Sequence, residues 1–106
     1  MEIVINNVIW GIYKAKRGGR VFLMQDGRKT FGVCDLANHK IYIADGLDKE
    51  LEKEVLQHEI CHAINYMVGY YDDLEEEECA CIYVGRYADE TYQIANDILK
   101  KWNENR

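Results

Sequence analysis

The stretch "KIYIADGLDKELEKEVLQHEICHAINY", residues 40–66, decides the fold, because the period of its apolar residues changes partway along it. Over residues 40–44, Ile41 and Ile43 fall on one face and Tyr42 on the other, as strand alternation requires. After Asp45 and Gly46 the apolar residues return every three or four positions, the spacing of a helix. Asp48 suits the N-cap, acidic residues follow in the first turns, and Gly69 provides a stop. The pattern predicts a helix over residues 48–68. Leu51, Val55, His58 and His62 line one of its stripes, and Leu56, Ile60, Ala63 and Met67 another. A helix apolar on more than one side is expected to be central and buried.

Upstream, three further segments read as strands. "NVIWGIYKA" (7–15) is rich in β-branched and aromatic residues, with Gly11 marking a bulge or a close backbone approach. "RVFLMQ" (20–25) is entered through Gly18-Gly19 and left through Asp26-Gly27. "KTFGVCD" (29–35) is joined to residues 40–44 by a turn at Asn38-His39, which makes His39 a surface polar residue. Downstream, an acidic run from Asp72 to Glu78 leads into a second helix over residues 75–102. Its glutamates at one end, with Lys100 and Lys101 at the other, suit the helix dipole. Four strands followed by two long helices is an α+β pattern, in one domain spanning residues 1–106.

The composition narrows the function. A net charge of −6 argues against nucleic-acid binding, which needs a basic footprint. Lys14, Lys16, Arg17 and Arg20 read as a solvated loop or hairpin end. The apolar runs are too short for a bilayer, and Met1 leads into "EIVINNVIWGIY" without a basic start or a small-residue cleavage site. A cytoplasmic setting is therefore expected, with Cys34, Cys61, Cys79 and Cys81 as reduced packing residues. Cys79 and Cys81 would point to different faces of a helix and make a poor metal pair.

Chemistry concentrates in "HEICH". His58 and His62 lie on adjacent turns of one face, where two imidazoles can direct nitrogens at a common tetrahedral ion such as zinc. Glu59 is rotated by about 100° from His58. It cannot join their row, but it can reach a water beside the metal as a general base. A glutamate on a buried helix is costly without a partner, and a divalent ion would compensate it. Two histidines leave the ligand set incomplete. The longer HExxHxxGxxH pattern is excluded, since Asn65 and Val68 stand where it needs glycine and histidine.

The second helix offers carboxylates instead. Steps of three and four from Glu77 reach Cys81, Val84, Ala88, Tyr92, Ala95, Leu99 and Trp102, a mostly apolar stripe expected to face the first helix. The same steps from Glu78 reach Ile82, Gly85, Asp89 and Asn96, a more polar line. Helical phase thus selects Glu77 as third ligand, with Glu78 and Glu76 in reserve.

Together, "VIWGIYKA", "RKTFGVCDLANHKIYIADGL", "LEKEVLQHEICHAINY" and "EEECACIYVGRYADETYQIANDIL" resemble the small zincin-type metallopeptidases of the ImmA/IrrE group and their phage-encoded relatives. The HExxH portion is the specific part, and the remainder is apolar spacing. The resemblance implies a zincin-like fold, with a small sheet beside an active-site helix and a glutamate from the following helix as third ligand. It also implies a bacterial or phage-infected host cell and, as in some relatives, cleavage of a transcriptional repressor, with recognition drawing on a partner.

The expected activity is zinc-dependent peptide hydrolysis. His58, His62 and Glu77 would hold Zn2+, and Glu59 would accept the proton of the attacking water. An oxyanion donor is sought among Tyr83, Tyr87, Tyr92 and Arg86. The edge of strand 40–44 would receive an extended substrate. The competing reading is a non-catalytic interaction module with structural or absent metal, its acidic surface contacting a basic partner. A metal-dependent hydrolase acting on something other than a peptide is the third.

Overall fold

The computed structural model describes residues 1–69 and 74–104, so Asp72 and Asp73 of the acidic run lie outside the described residues. The chain forms strands β1 (Glu2–Ile5), β2 (Val8–Ala15), β3 (Gly32–Asp35) and β4 (Lys40–Ala44), then helices α1 (Lys49–Met67) and α2 (Leu74–Glu104). The four strands make one sheet in the order β1-β2-β4-β3. The β1–β2 and β3–β4 pairs are antiparallel, and β2 runs parallel to β4. The fold is thus α+β, a mostly antiparallel sheet followed by two helices. No helix among the described residues is long and apolar enough to cross a membrane.

Two expectations about the strands change. β1 was not anticipated. It closes a hairpin on β2 through Asn6 and Asn7, which lie at φ 50° and 66° and join the paired Ile5 and Val8. Two consecutive left-handed residues are what a two-residue hairpin turn demands, and asparagine tolerates that region best after glycine. Residues 20–25, by contrast, are not a strand. Arg20–Phe22 form a short 3-10 helix, tied by Phe22 N–H to Gly19 C=O at 3.1 Å and Leu23 N–H to Arg20 C=O at 3.1 Å. Only an isolated bridge between Leu23 and Lys29 follows. The closely spaced turns at Gly18-Gly19 and Asp26-Gly27 leave the segment too short to reach the sheet, and Phe22 anchors it by full burial.

One sheet face is packed and the other is open. Trp10, Ile41 and Ile43 are buried with Ala63 of α1, and Ile3, Ile5, Ile12, Leu56, Ile60 and Met67 surround them. Removing the Trp10 side chain would cost about 3–5 kcal/mol by the usual cavity penalty. Val4, Ile9 and Tyr13 alternate onto the exposed face. His39, expected at the surface, is half-buried against Trp10, with ring centroids 4.9 Å apart. Its φ of 55° lets the β3–β4 turn close with the ring inward.

α1 begins and ends as the sequence requires. The Asp48 side chain accepts from Leu51 N–H at 2.9 Å, a cap worth about 1 kcal/mol, and Gly69 takes φ 74° beyond the last turn.

The contact between α1 and α2 follows the start of the expected stripe, where Cys81 is buried and Glu77, Val84 and Ala88 are half-buried, and it extends to one flank of that stripe at Glu78, Gly85 and Asp89. A Cβ on Gly85 would lie 2.8 Å from the Glu54 carbonyl oxygen and 3.5 Å from His58 Cβ, so glycine permits the close approach. Asp89 pairs with Lys53 and accepts from Gln57 at 3.1 Å, and Arg86 donates to Glu54 at 3.0 Å. Small size at Gly85 and charge pairing at Arg86 and Asp89 widen the contact beyond its apolar residues.

Candidate functional site

α1 carries His58, Glu59 and His62 past the outer edge of β3, and α2 brings the glutamates over them. The Nε2 atoms of His58 and His62 face each other at 3.2 Å. Glu78 meets both, with Oε1 2.7 Å from His58 Nε2 and Oε2 3.2 Å from His62 Nε2. Glu77 lies on the opposite side of the second imidazole, its Oε1 3.0 Å from His62 Nδ1. One carboxylate thus joins both converging nitrogens, while its neighbour holds the far nitrogen of one ring. The converging residue is Glu78, the reserve, and Glu77 takes the supporting position.

This donor set fits zinc. Two imidazole nitrogens and a carboxylate are its ordinary ligands, and donor separations near 3.2 Å match the edge of a tetrahedron with bonds of about 2.0–2.1 Å. A carboxylate accepting from Nδ1–H fixes the His62 tautomer so that Nε2 presents its lone pair. Among the described residues a second grouping, His62, Glu77 and Cys81, also lies close together. It suits a metal less well, because the Glu77 oxygen is engaged with His62 and burial raises the Cys81 thiol pKa, disfavouring the thiolate. The Cys34 thiol is pushed up to about 12, by burial first and then by Glu59 and Asp35. Cys79 is exposed.

Glu59 is the one charged side chain buried among the described residues, and its Oε2 has no hydrogen-bond partner. Burial pushes its carboxyl up to about 7, with His62 opposing the rise and Glu78 adding to it. Gly32 of β3 makes room for it, since a Cβ there would meet Val55 Cγ1 at 2.6 Å and Glu59 Cγ at 2.9 Å. A glycine inside a strand was the sequence signal for this approach, and it went unread.

An open groove of about 760 Å³ lies in front of these residues. Its floor is Val55, His58, Glu59, His62 and Glu78, and its wall is the segment from Val21 to Asp26 with Phe31. Val21, Leu23, Met24 and Phe31 stay exposed along it. The segment misread as a strand is therefore the groove wall. None of Tyr83, Tyr87, Tyr92 and Arg86 lines the groove. The three tyrosines are exposed, and Arg86 is held by Glu54 beside a separate hollow containing Lys53 and Asp89.

β4 cannot receive an added strand, because β2 and β3 occupy its two edges. The available edge belongs to β3. Its register against β4, continued by Ala44 N–H to Phe31 C=O at 2.8 Å, turns the main-chain groups of Val33 and Asp35 inward and those of Gly32 and Cys34 outward. Thr30 Oγ1 donates to the Gly32 carbonyl at 2.8 Å. Comparison of the chain with protein-family models, curated proteins and solved structures returned no match.

Proposed function

We propose that this chain is a zinc-dependent peptidase of the zincin type, akin to the ImmA/IrrE group, with His58, His62 and Glu78 as metal ligands and Glu59 as general base. The observation that carries the reading is a conjunction. Two imidazole nitrogens and a carboxylate converge beside a buried glutamate with an unpartnered oxygen, at the floor of an open groove. A non-catalytic metal site has no use for that glutamate.

Zinc held by the three donors would polarise a peptide carbonyl as a Lewis acid and make a nearby water more acidic. The residues supply the rest. Glu59 accepts a proton from the attacking water at Oε2 and passes it to the departing amine. Glu77 holds the Nδ1 proton of His62 and keeps Nε2 directed at the site. An extended peptide pairing with the outer edge of β3 would run beside His58 and Glu59. The exposed Leu23, Met24 and Phe31 would take a bulky apolar side chain.

The substrate class is therefore a protein or peptide presented in extended form. A repressor protein is one member of that class, suggested by the resemblance alone. Zinc titration of the metal-free chain tests the site. One equivalent should bind to wild type, and His58→Ala should abolish tight binding. Equal binding by both proteins would remove the reading.

A further inference from the structure

The apolar stripe of α2 meets α1 only near its start and continues beyond the rest of the molecule. Every residue from Asp89 to Glu104 is exposed. The radius of gyration is 16.1 Å, against about 13 Å for a compact chain of this length, and the long axis is 55 Å. Yet this half of the helix is strongly amphipathic. Tyr87, Ala88, Tyr92, Ile94, Ala95, Ile98, Leu99 and Trp102 fall within an arc of roughly 160° at about 100° per residue. Tyr92 is 70% exposed and Trp102 61%. A solvated helix end has no need of such a stripe.

We propose that this face docks against the same face of a second copy of the chain, with the two helices antiparallel. Three observations choose that occupant. The first is area. The exposed large side chains from Tyr87 to Trp102 present on the order of 700 Å², close to the roughly 800 Å² per partner of a stable interface and beyond what monomers usually leave bare.

The second is shape. Along the midline of the stripe the first half carries small residues, Ala88, Thr91 and Ala95, with Tyr87, Tyr92 and Ile94 at the margins, and the second half carries bulky Ile98 and Trp102. Antiparallel pairing lays each bulky half on the partner's small half. A parallel pair would set Trp102 on Trp102 and leave the alanines facing a gap.

The third is charge. Glu90 borders the stripe near its start and Lys101 borders the same side near its end. Antiparallel pairing brings the same flank of both helices together and places each Glu90 beside a Lys101, whereas parallel pairing would set these residues on opposite sides of the seam and leave them unpaired. The polar face also carries Asp89, Asp97 and Glu90 on a chain of net charge −6, which disfavours an anionic membrane surface as the occupant. The centre of the stripe, near Ala95, lies about 25 Å along the helix from Glu78 at ~1.5 Å per residue, so pairing leaves the groove open.

Sedimentation equilibrium of the full chain across the micromolar range tests this. The expected result is a monomer–dimer equilibrium, with Ile98→Glu and Trp102→Glu each weakening association by roughly thirtyfold or more. Both side chains are exposed, so helix content and thermal melting of the dilute protein should be unchanged. Trp102 emission should shift to the blue as concentration rises, while the buried Trp10 contributes a constant signal. Glu90→Lys should weaken the dimer, and adding Lys101→Glu should restore it. The proposal is overturned by a monomer at all concentrations, by a dimer indifferent to Ile98→Glu and Trp102→Glu, or by failure of the charge exchange to rescue. Monomers that instead bind vesicles of phosphatidylcholine and phosphatidylserine through this face would also overturn it.

Discussion

Glu77 accepts from the Nδ1 side of His62 at 3.0 Å, which leaves the Nε2 atom of that ring to face His58. This one relationship gives two adjacent glutamates different places, Glu77 beside Nδ1 of His62 and Glu78 beside the two Nε2 atoms. Zinc affinity should register the difference. Glu77→Ala should lower it by about 10–100-fold, the usual effect of losing a ligand's outer partner. Glu78→Ala removes a donor and should lower it further. Competition against a chromophoric chelator measures both, and the reverse ranking would return Glu77 to the ligand set.

Gly32 bears on activity through space rather than chemistry. In Gly32→Ala the new Cβ would press on Val55 Cγ1 and Glu59 Cγ, so the helix or the glutamate must shift. Overpacking of this kind costs about 1–3 kcal/mol. Peptide cleavage should fall more steeply than zinc binding, because the atoms nearest the new methyl belong to Val55 and Glu59 rather than to an imidazole. Parallel measurement of metal affinity and turnover would reveal that split.

Burial of Glu59 also predicts a pH dependence for the metal-free protein. Burial pushes its carboxyl from the ordinary 4.5 up to about 7 in the folded chain. Between those pH values the folded state keeps a proton that the unfolded state releases, so the stabilising contribution present below about 4.5 is lost as pH rises through 7. Full loss amounts to about 3 kcal/mol. Glu59→Gln should remove this slope. Urea unfolding in the presence of chelator, wild type against variant at pH 5 and pH 8, isolates the effect as a difference between the two proteins.

The sequence made α1 fully legible, because the Asp48 cap, the change of period and the Gly69 stop all agree. Central strands β2 and β4 were legible for the same reason, being dense in β-branched and aromatic residues. The Asn6-Asn7 hairpin was missed, although two asparagines between apolar residues are a turn signal. Residues 20–25 have strand propensity but no strand partner, and propensity alone does not report partners. Helical phase read the start of α2, where Glu77, Cys81, Val84 and Ala88 are buried or half-buried, but it could not show that the stripe outruns α1 and stays exposed in its second half. Phase alone also does not rank Glu77 against Glu78, because both carboxylates reach the histidines.

The most direct test of the central claim is cleavage of a defined peptide library by zinc-loaded wild type and Glu59→Gln, with new termini read by mass spectrometry. The account predicts that both proteins bind one zinc. Wild type should cut extended peptides beside bulky apolar residues, and the variant should be slower by about 10²–10⁴-fold, the range for loss of a general base. Equal cleavage by the two zinc-loaded proteins, or none by wild type, would contradict it.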